Sequence, residues 1–301
     1  MGGDEGRNPF RRECWARSCR YARVLCSARI RAHWGALRET ALTGKNITNN
    51  GNWTAQRDIG GVGLPASEPD RFTTRYVVPV DYQAVGLDLD GTLCDHRGAA
   101  GAAADGFVTW LGAPKSRQNR VLWLEAEEEQ FEQWRAGRTT FQEQRRRRLR
   151  SFLPAIQICV PSEDAQLDAL FEQYLLRYRA AWRPFPDAVE LLADLHRQQI
   201  PVGVLSNGNQ AQQFDKLVST GLDRYIGVVC TSELIGFAKP DPRAFQALAN
   251  QLGVAHADLV FLGDNPDHDV AGARAVGIRA GLVERDGLHE VNLFEALANA
   301  R

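Results

Sequence analysis

The chain has 301 residues, 44% hydrophobic and 24% charged, with a formal net charge of −1. That balance fits a globular protein of one large or two ordinary domains and gives no global pull toward nucleic acid or an anionic membrane. No apolar run nears the ~20 residues of a membrane-spanning helix, and six cysteines are too few for a disulfide scaffold.

The near-neutrality hides an asymmetry. Residues 1–80 hold 13 Lys and Arg against 7 Asp and Glu, whereas residues 81–301 hold 23 against 30. Residues 11–34 have the pattern of a basic amphipathic helix, and residues 43–74 read as loop. Cys14, Cys19, Cys26 and His33 match none of the compact spacings of structural zinc sites. Asp4, Glu5, Glu13 and Glu39 argue against an organellar transit peptide, and no apolar core suggests a secretory signal, so the cytoplasm is the expected compartment. Residues 1–80 are expected to be a disordered or loosely structured extension, or an over-extended start in a chain whose only Met is Met1.

From Tyr82 the pattern becomes regular. Residues 84–87, 200–205, 225–230, 259–262 and 278–283 predict five short apolar strands. Ala188, Leu191, Leu192 and Leu195 recur at helical spacing between strands, as do Phe245, Leu248, Ala249 and Leu252. Strands alternating with helices imply right-handed βαβ units, and so a doubly wound α/β domain with a parallel sheet. Residues 96–183 are too long for a βα loop, and their apolar stripes predict an inserted helical domain over the ligand crevice. Leu167, Leu170, Phe171, Tyr174 and Tyr178 form one stripe, and Phe131 and Trp134 lie three apart on another helix. They are expected to be core. The expected boundaries are therefore 81–95 with 184–301 for the α/β core and 96–183 for the cap.

Three of the strands end in chemically useful residues. The first runs into Asp88-Leu89-Asp90-Gly91-Thr92-Leu93, the second into Ser206-Asn207-Gly208, and the fourth into Gly263-Asp264-Asn265 with Asp267 and Asp269 behind. Ligands of open α/β sheets bind at the carboxyl ends of strands, so these groups should converge. Lys239, in Phe237-Ala238-Lys239-Pro240-Asp241-Pro242, precedes the helix leading to the fourth strand. Clustered carboxylates need a cation, and oxygen-only ligation suits Mg²⁺ better than Zn²⁺. A hydroxyl, an ammonium and turn N–H groups suit a phosphate.

These four motifs in this order resemble those of the haloacid dehalogenase-like (HAD) hydrolases, over about residues 82–285. The resemblance implies that Asp88 is the nucleophile forming an aspartyl-phosphate, and that Asp90 protonates the leaving group and then activates water. It implies that Ser206, Asn207 and neighbouring amides hold the phosphoryl oxygens while Lys239 restrains the nucleophile. It also implies Mg²⁺ at the Asp88 carboxylate, the Asp90 main chain and Asp264, supported by Asp269. Asp267 is expected to be a surface turn residue. The insertion is similar to the helical C1 cap of subfamily I.

Asp90 favours phosphoryl transfer over dehalogenation, because the namesake dehalogenases typically lack that second acid. The expected activity is hydrolysis of a small phosphorylated metabolite, with no nucleic-acid or membrane partner. A phosphosugar mutase is the alternative within the family, and a non-catalytic binding or regulatory protein is the alternative outside enzymology. A phosphonatase would need a cap lysine, and residues 97–182 contain only Lys115. Arg145-Arg146-Arg147-Arg148 spreads around a helical turn, so it is expected to be chiefly a solvated face with at most one or two members toward the site.

Overall fold

The structure is a computed structural model, and it describes residues 81–285 and 290–300. The expectations for residues 1–80 lie outside the described residues. Five strands form one sheet: β1 (Ala84–Leu87), β2 (Val202–Ser206), β3 (Val228–Thr231), β4 (Leu259–Gly263) and β5 (Arg279–Leu282). Their order is β3-β2-β1-β4-β5, and every pairing is parallel. β1 and β4 pair with Val85 opposite Val260 and Leu87 opposite Leu262. The chain winds to one side of β1 through β2 and β3, then crosses back to β4. The resulting switch point between β1 and β4 leaves a crevice at their carboxyl ends.

The strand residues explain why the sheet is central. All four residues of β1 and all five of β2 and β4 are buried, the continuous apolar pattern of strands covered on both faces. Alternation sorts them into two cores. Val85 and Leu87 pack with Leu191, Leu192 and Leu195 of α5 (Pro186–Arg197), Leu217 of α6 (Gln210–Thr220) and Leu293 of a C-terminal helix (Leu293–Ala298). Ala84, Leu205 and Phe261 pack on the other face against Phe245, Leu248 and Ala249 of a helix spanning Pro242–Leu252. Each fully buried Leu or Phe contributes ~1.5–3 kcal/mol.

The third strand begins later than the sequence predicts. Asp223–Tyr225 closes a 3₁₀ turn instead, started by the left-handed Gly221 that ends α6. The apolar Tyr225 and Ile226 pack beside the core without extending the strand, which is why hydrophobicity alone overestimates its length.

Four helices separate β1 from α5: α1 (His96–Trp110), α2 (Arg117–Arg135), α3 (Phe141–Ala155) and α4 (Asp164–Ala180). Asp95, Ser116 and Thr140 cap the first three through side-chain oxygens. The predicted stripe of α4 is buried, and Trp123, Phe152, Phe171 and Tyr174 form an aromatic centre with Trp123 and Tyr174 4.3 Å apart between centroids. No helix among the described residues is long and apolar enough to cross a membrane.

Candidate active site

A cavity of about 250 Å³ opens at the carboxyl ends of β1, β2 and β4, roofed by α2, α3 and α4. Asp88, Asp90, Ser206, Asn207, Lys239, Asp264 and Asp269 all line it. Two backbone features bring the first and fourth strand ends together. Gly91 has φ +97°, a left-handed conformation, and a Cβ there would collide with the Asp264 carboxylate. Gly263 similarly leaves room for Asp269.

Asp88 is buried, and its Oδ1 accepts a 2.6 Å hydrogen bond from Lys239 Nζ. The same ammonium lies 2.6 Å from Asp269 Oδ1. Asp88 Oδ2 is buried with no hydrogen-bond partner. Burial raises the pKa of Asp88 to about 8, opposed by Lys239 and reinforced by Asp269 and Asp264. Burial would lower the pKa of Lys239, but the charges of Asp269 and Asp88 raise it above its ordinary value. Asp264 stays open on one side, yet the protein packed around its carboxyl and the charge of Asp269 raise it to about 6.

Carboxylate oxygens of Asp88, Asp264 and Asp269 lie within 4.8 Å of one another. Three acids crowded this closely, one with an orphaned buried oxygen, fit a hard divalent cation. Asp90 stands apart from the set through its carboxylate. Asp267 is exposed, and its backbone rather than its carboxylate is used: its N–H donates to Asn265 Oδ1 at 3.0 Å and its carbonyl accepts from Gly272 N–H. Asn265 receives a second bond from His268 N at 2.8 Å, and Asn265 N donates to Asp269 Oδ2 at 3.1 Å. The segment Pro266–Ala271 forms a wide π-type turn, so Asp269 returns toward β4 while Asp267 faces outward.

Ser206 ends β2 with its hydroxyl accepting from Gln213 Nε2 at 2.8 Å. The Asn207 side chain is largely committed elsewhere. Its Oδ1 accepts from Lys239 N at 2.7 Å and its Nδ2 donates to Lys239 O at 2.8 Å. It clamps the Lys239 loop, and its main chain and second Nδ2 N–H are left for an anion.

The sequence reading missed the surroundings of Asp90. Lys216 ion-pairs with Asp90 Oδ1, and Gln213 Nε2 donates to Asp90 Oδ2 at 2.7 Å. Lys216 also donates to Tyr178 Oη at 3.1 Å, and His96 Nδ1 lies 2.7 Å from the same oxygen. Burial would raise the pKa of Asp90, but the charge of Lys216, aided by His96 and Gln213, brings it to about 2. A signal was present. Gln213, Lys216, Leu217 and Thr220 recur at i, i+3, i+4 and i+7, which places the polar Gln213 and Lys216 on the buried stripe of α6 beside Leu217.

The arginine run sends two of its members toward the cavity, the most that its spread around a helical turn allows. Arg145 and Arg148 line the cavity, and Arg148 is buried and ion-paired with Glu127 at 2.8 Å. Lys115 is exposed, lies 3.1 Å from Asp105, and lines a different depression.

The family model for haloacid dehalogenase-like hydrolases matches residues 82–277. A phosphoserine phosphatase of Thermus thermophilus is 38% identical over 109 residues, 36% of this chain and 44% of that protein. The chain thus spans less than half the length of that relative. A phosphoglycolate phosphatase of Escherichia coli is 26% identical over 200 residues, covering 65% of this chain and 79% of that protein. The HAD-hydrolase YfnB of Bacillus subtilis, solved with magnesium bound, superposes with a TM-score of 0.60 at 18% identity. That match covers 72% of this chain and 96% of the other, and it is a likeness of fold.

Proposed function

The chain belongs to the haloacid dehalogenase-like hydrolases, and from that premise we propose that it is a Mg²⁺-dependent phosphatase of small phosphorylated metabolites, working in the cytoplasm. The observation that carries this reading is the arrangement of Asp88 and Asp90, two residues apart at the end of β1 but held in opposite electrostatic settings. Asp88 stands with Lys239 among the acids, and Asp90 stands with Lys216 and Gln213. Dissimilar environments for two neighbouring carboxylates suit two different roles.

Asp88 is the nucleophile in this reading. Its carboxylate oxygen bonds to phosphorus, the ester oxygen leaves, and an aspartyl-phosphate results. Lys239 orients the attacking carboxylate through its 2.6 Å hydrogen bond. The Ser206 hydroxyl and the amides after it face the phosphoryl oxygens. Asp90 gives a proton to the leaving alkoxide and later takes one from the water that cleaves the acyl-phosphate. It is ionised at neutral pH, so it suits the second task directly, and for the first it passes on the proton that a phosphomonoester monoanion brings. Asp88, Asp264 and Asp269, with the Asp90 main chain, would hold Mg²⁺. When bound, that ion offsets the repulsion between carboxylate and phosphate.

Several features support a phosphatase over the other activities weighed. Asp90 supplies the second acid that dehalogenation does not need, and the ion-paired Lys115 offers no Schiff-base amine in the cavity. All the motif acids are retained, which disfavours a purely regulatory scaffold. The test is hydrolysis of p-nitrophenyl phosphate by the full chain, with and without Mg²⁺. Release of phosphate only with the ion supports the reading, and no release from this or any phosphorylated metabolite tested would overturn it.

A further inference from the structure

Three of the four consecutive arginines on α3 have carboxylate partners. Arg146 reaches Asp164 at 2.8 Å and Asp168 at 2.6 Å, Arg147 reaches Glu143 at 3.5 Å, and Arg148 reaches Glu127 at 2.8 Å. Arg145 differs. Among the described residues no carboxylate lies within 4.0 Å of its guanidinium; Glu172 and Asp168 act on it only from farther away. The guanidinium sits 4.4 Å from the ring centroid of Phe141 and 5.3 Å from that of Phe171. Its Nη2 donates to Gln212 Oε1 at 3.0 Å.

That last bond spans the cavity. Arg145 belongs to the helical insertion, and Gln212 belongs to α6, which follows directly on Ser206 and Asn207. Arg145 therefore reaches across the cavity to the first turn of the helix that follows Ser206 and Asn207. The glutamates that share the cavity are already engaged, Glu127 by Arg148 and Glu128 by Arg135 at 2.7 Å. Burial lowers the pKa of Arg145 to about 10, which leaves it charged at neutral pH. A partly desolvated guanidinium without a protein counter-ion is costly unless an anion arrives from outside. Its remaining N–H groups form the planar fork that matches a carboxylate or phosphate in two bonds.

We propose that Arg145 binds a second anionic group carried by the leaving group, so that the substrates are small phosphomonoesters bearing a carboxylate or a further phosphate. This rests on the phosphatase reading above and narrows it to a substrate class. The ~250 Å³ cavity suits such compact molecules.

The test compares kcat/KM of the full chain with Mg²⁺ for 2-phosphoglycolate, 1,2-ethanediol bisphosphate and ethyl phosphate, with p-nitrophenyl phosphate as a control. At least one anionic ester should exceed ethyl phosphate by about 10-fold or more, and the two arms tell carboxylate from phosphate. Arg145→Gln should shrink that ratio by about 10- to 100-fold, the scale of a charge-assisted hydrogen bond. Arg145→Lys should shrink it less, and Arg147→Gln, on the exposed side of the same helix, should leave it in place. Equal kcat/KM for charged and neutral esters in the unmutated protein, or an unchanged ratio in Arg145→Gln, overturns the proposal. If Arg145→Gln does not fold, the unmutated ratio and Arg145→Lys decide. If nothing is hydrolysed, p-nitrophenyl phosphate included, the phosphatase reading fails by itself. Calorimetric binding of 2-phosphoglycolate, 1,2-ethanediol bisphosphate and ethyl phosphate then decides: a preference for either anionic ester that Arg145→Gln removes supports the anion site, and no preference overturns it.

Discussion

Lys216, with no exposed surface, holds the carboxylate of Asp90 from a helix that leads out of the phosphate loops. The bond joins positions 126 residues apart, and Tyr178 of the helical insertion closes on the same ammonium. The second acid of the candidate pair is thus positioned jointly by the sheet domain and the insertion.

Removing that support should have two separable effects. Lys216→Met leaves the Asp90 carboxylate without its counter-ion and should cost ~2–4 kcal/mol, below the fully buried limit because Asp90 is partly solvated. The pKa of Asp90 in the folded protein is about 2, below its ordinary value of 3.8, so the pair's stabilisation is present above pH 3.8 and lost as pH falls toward 2. Denaturant titrations between pH 6 and pH 2.5 should show a shallower acid loss in the variant. An equally steep loss would mean that Lys216 does not set the charge of Asp90.

Asp88→Asn should abolish turnover, because an amide does not form the acyl-phosphate, while circular dichroism and melting stay close to those of the unmutated chain. Asp90→Asn should retain slow phosphorylation and lose ~10²–10⁴-fold in steady-state rate. Rapid quench with a labelled substrate separates the two, since only the second variant should accumulate label on protein. Full activity in Asp88→Asn with saturating Mg²⁺ would remove the mechanism.

Metal binding should depend on pH with a definite sign. In the metal-free protein the pKa of Asp88 is about 8 and that of Asp264 about 6, both above the ordinary 3.8. Their protons must leave before a cation is held, so Mg²⁺ affinity should rise from pH 5 and level off above pH 8. The same raised values mean that the folded metal-free state binds these protons more tightly than the unfolded state. Its stability should fall as pH rises from about 4 to 8, and Mg²⁺ should restore more of it at pH 8 than at pH 5. Calorimetry and thermal melts measure both. EDTA should abolish activity, and Asp264→Ala should raise the Mg²⁺ concentration required.

Asn207→Ala removes both bonds that fasten the Lys239 loop, at 2.7 and 2.8 Å. A loss of ~1–3 kcal/mol is expected from the unsatisfied backbone groups. Because Lys239 orients Asp88, kcat should drop by roughly 10- to 100-fold, with a smaller change in KM. Lost stability with unchanged kcat would confine Asn207 to the fold.

The candidate site was legible in the sequence to the extent that its pieces are local. Asp88 and Asp90 lie beside an apolar strand and a Gly turn, Ser206 ends another apolar run, and Asp264 follows a third. A strand's two-residue period and its turn are short-range properties, and the rule that ligands gather at strand ends does the rest. The family resemblance then assigned roles that spacing alone left open.

Only the tertiary structure decided what surrounds those acids. Nothing in the local pattern says that Lys216 meets Asp90, that the Asn207 amide fastens the Lys239 loop, or that Arg145 alone in its run lacks a carboxylate. Each of these depends on which helix face packs over the sheet and on how the insertion closes upon it. Hydrophobic periodicity fixes that a face is buried, but it is nearly blind to the partner. The charge of a buried group is set by its neighbours within a few ångströms, and those neighbours come from distant stretches of the chain.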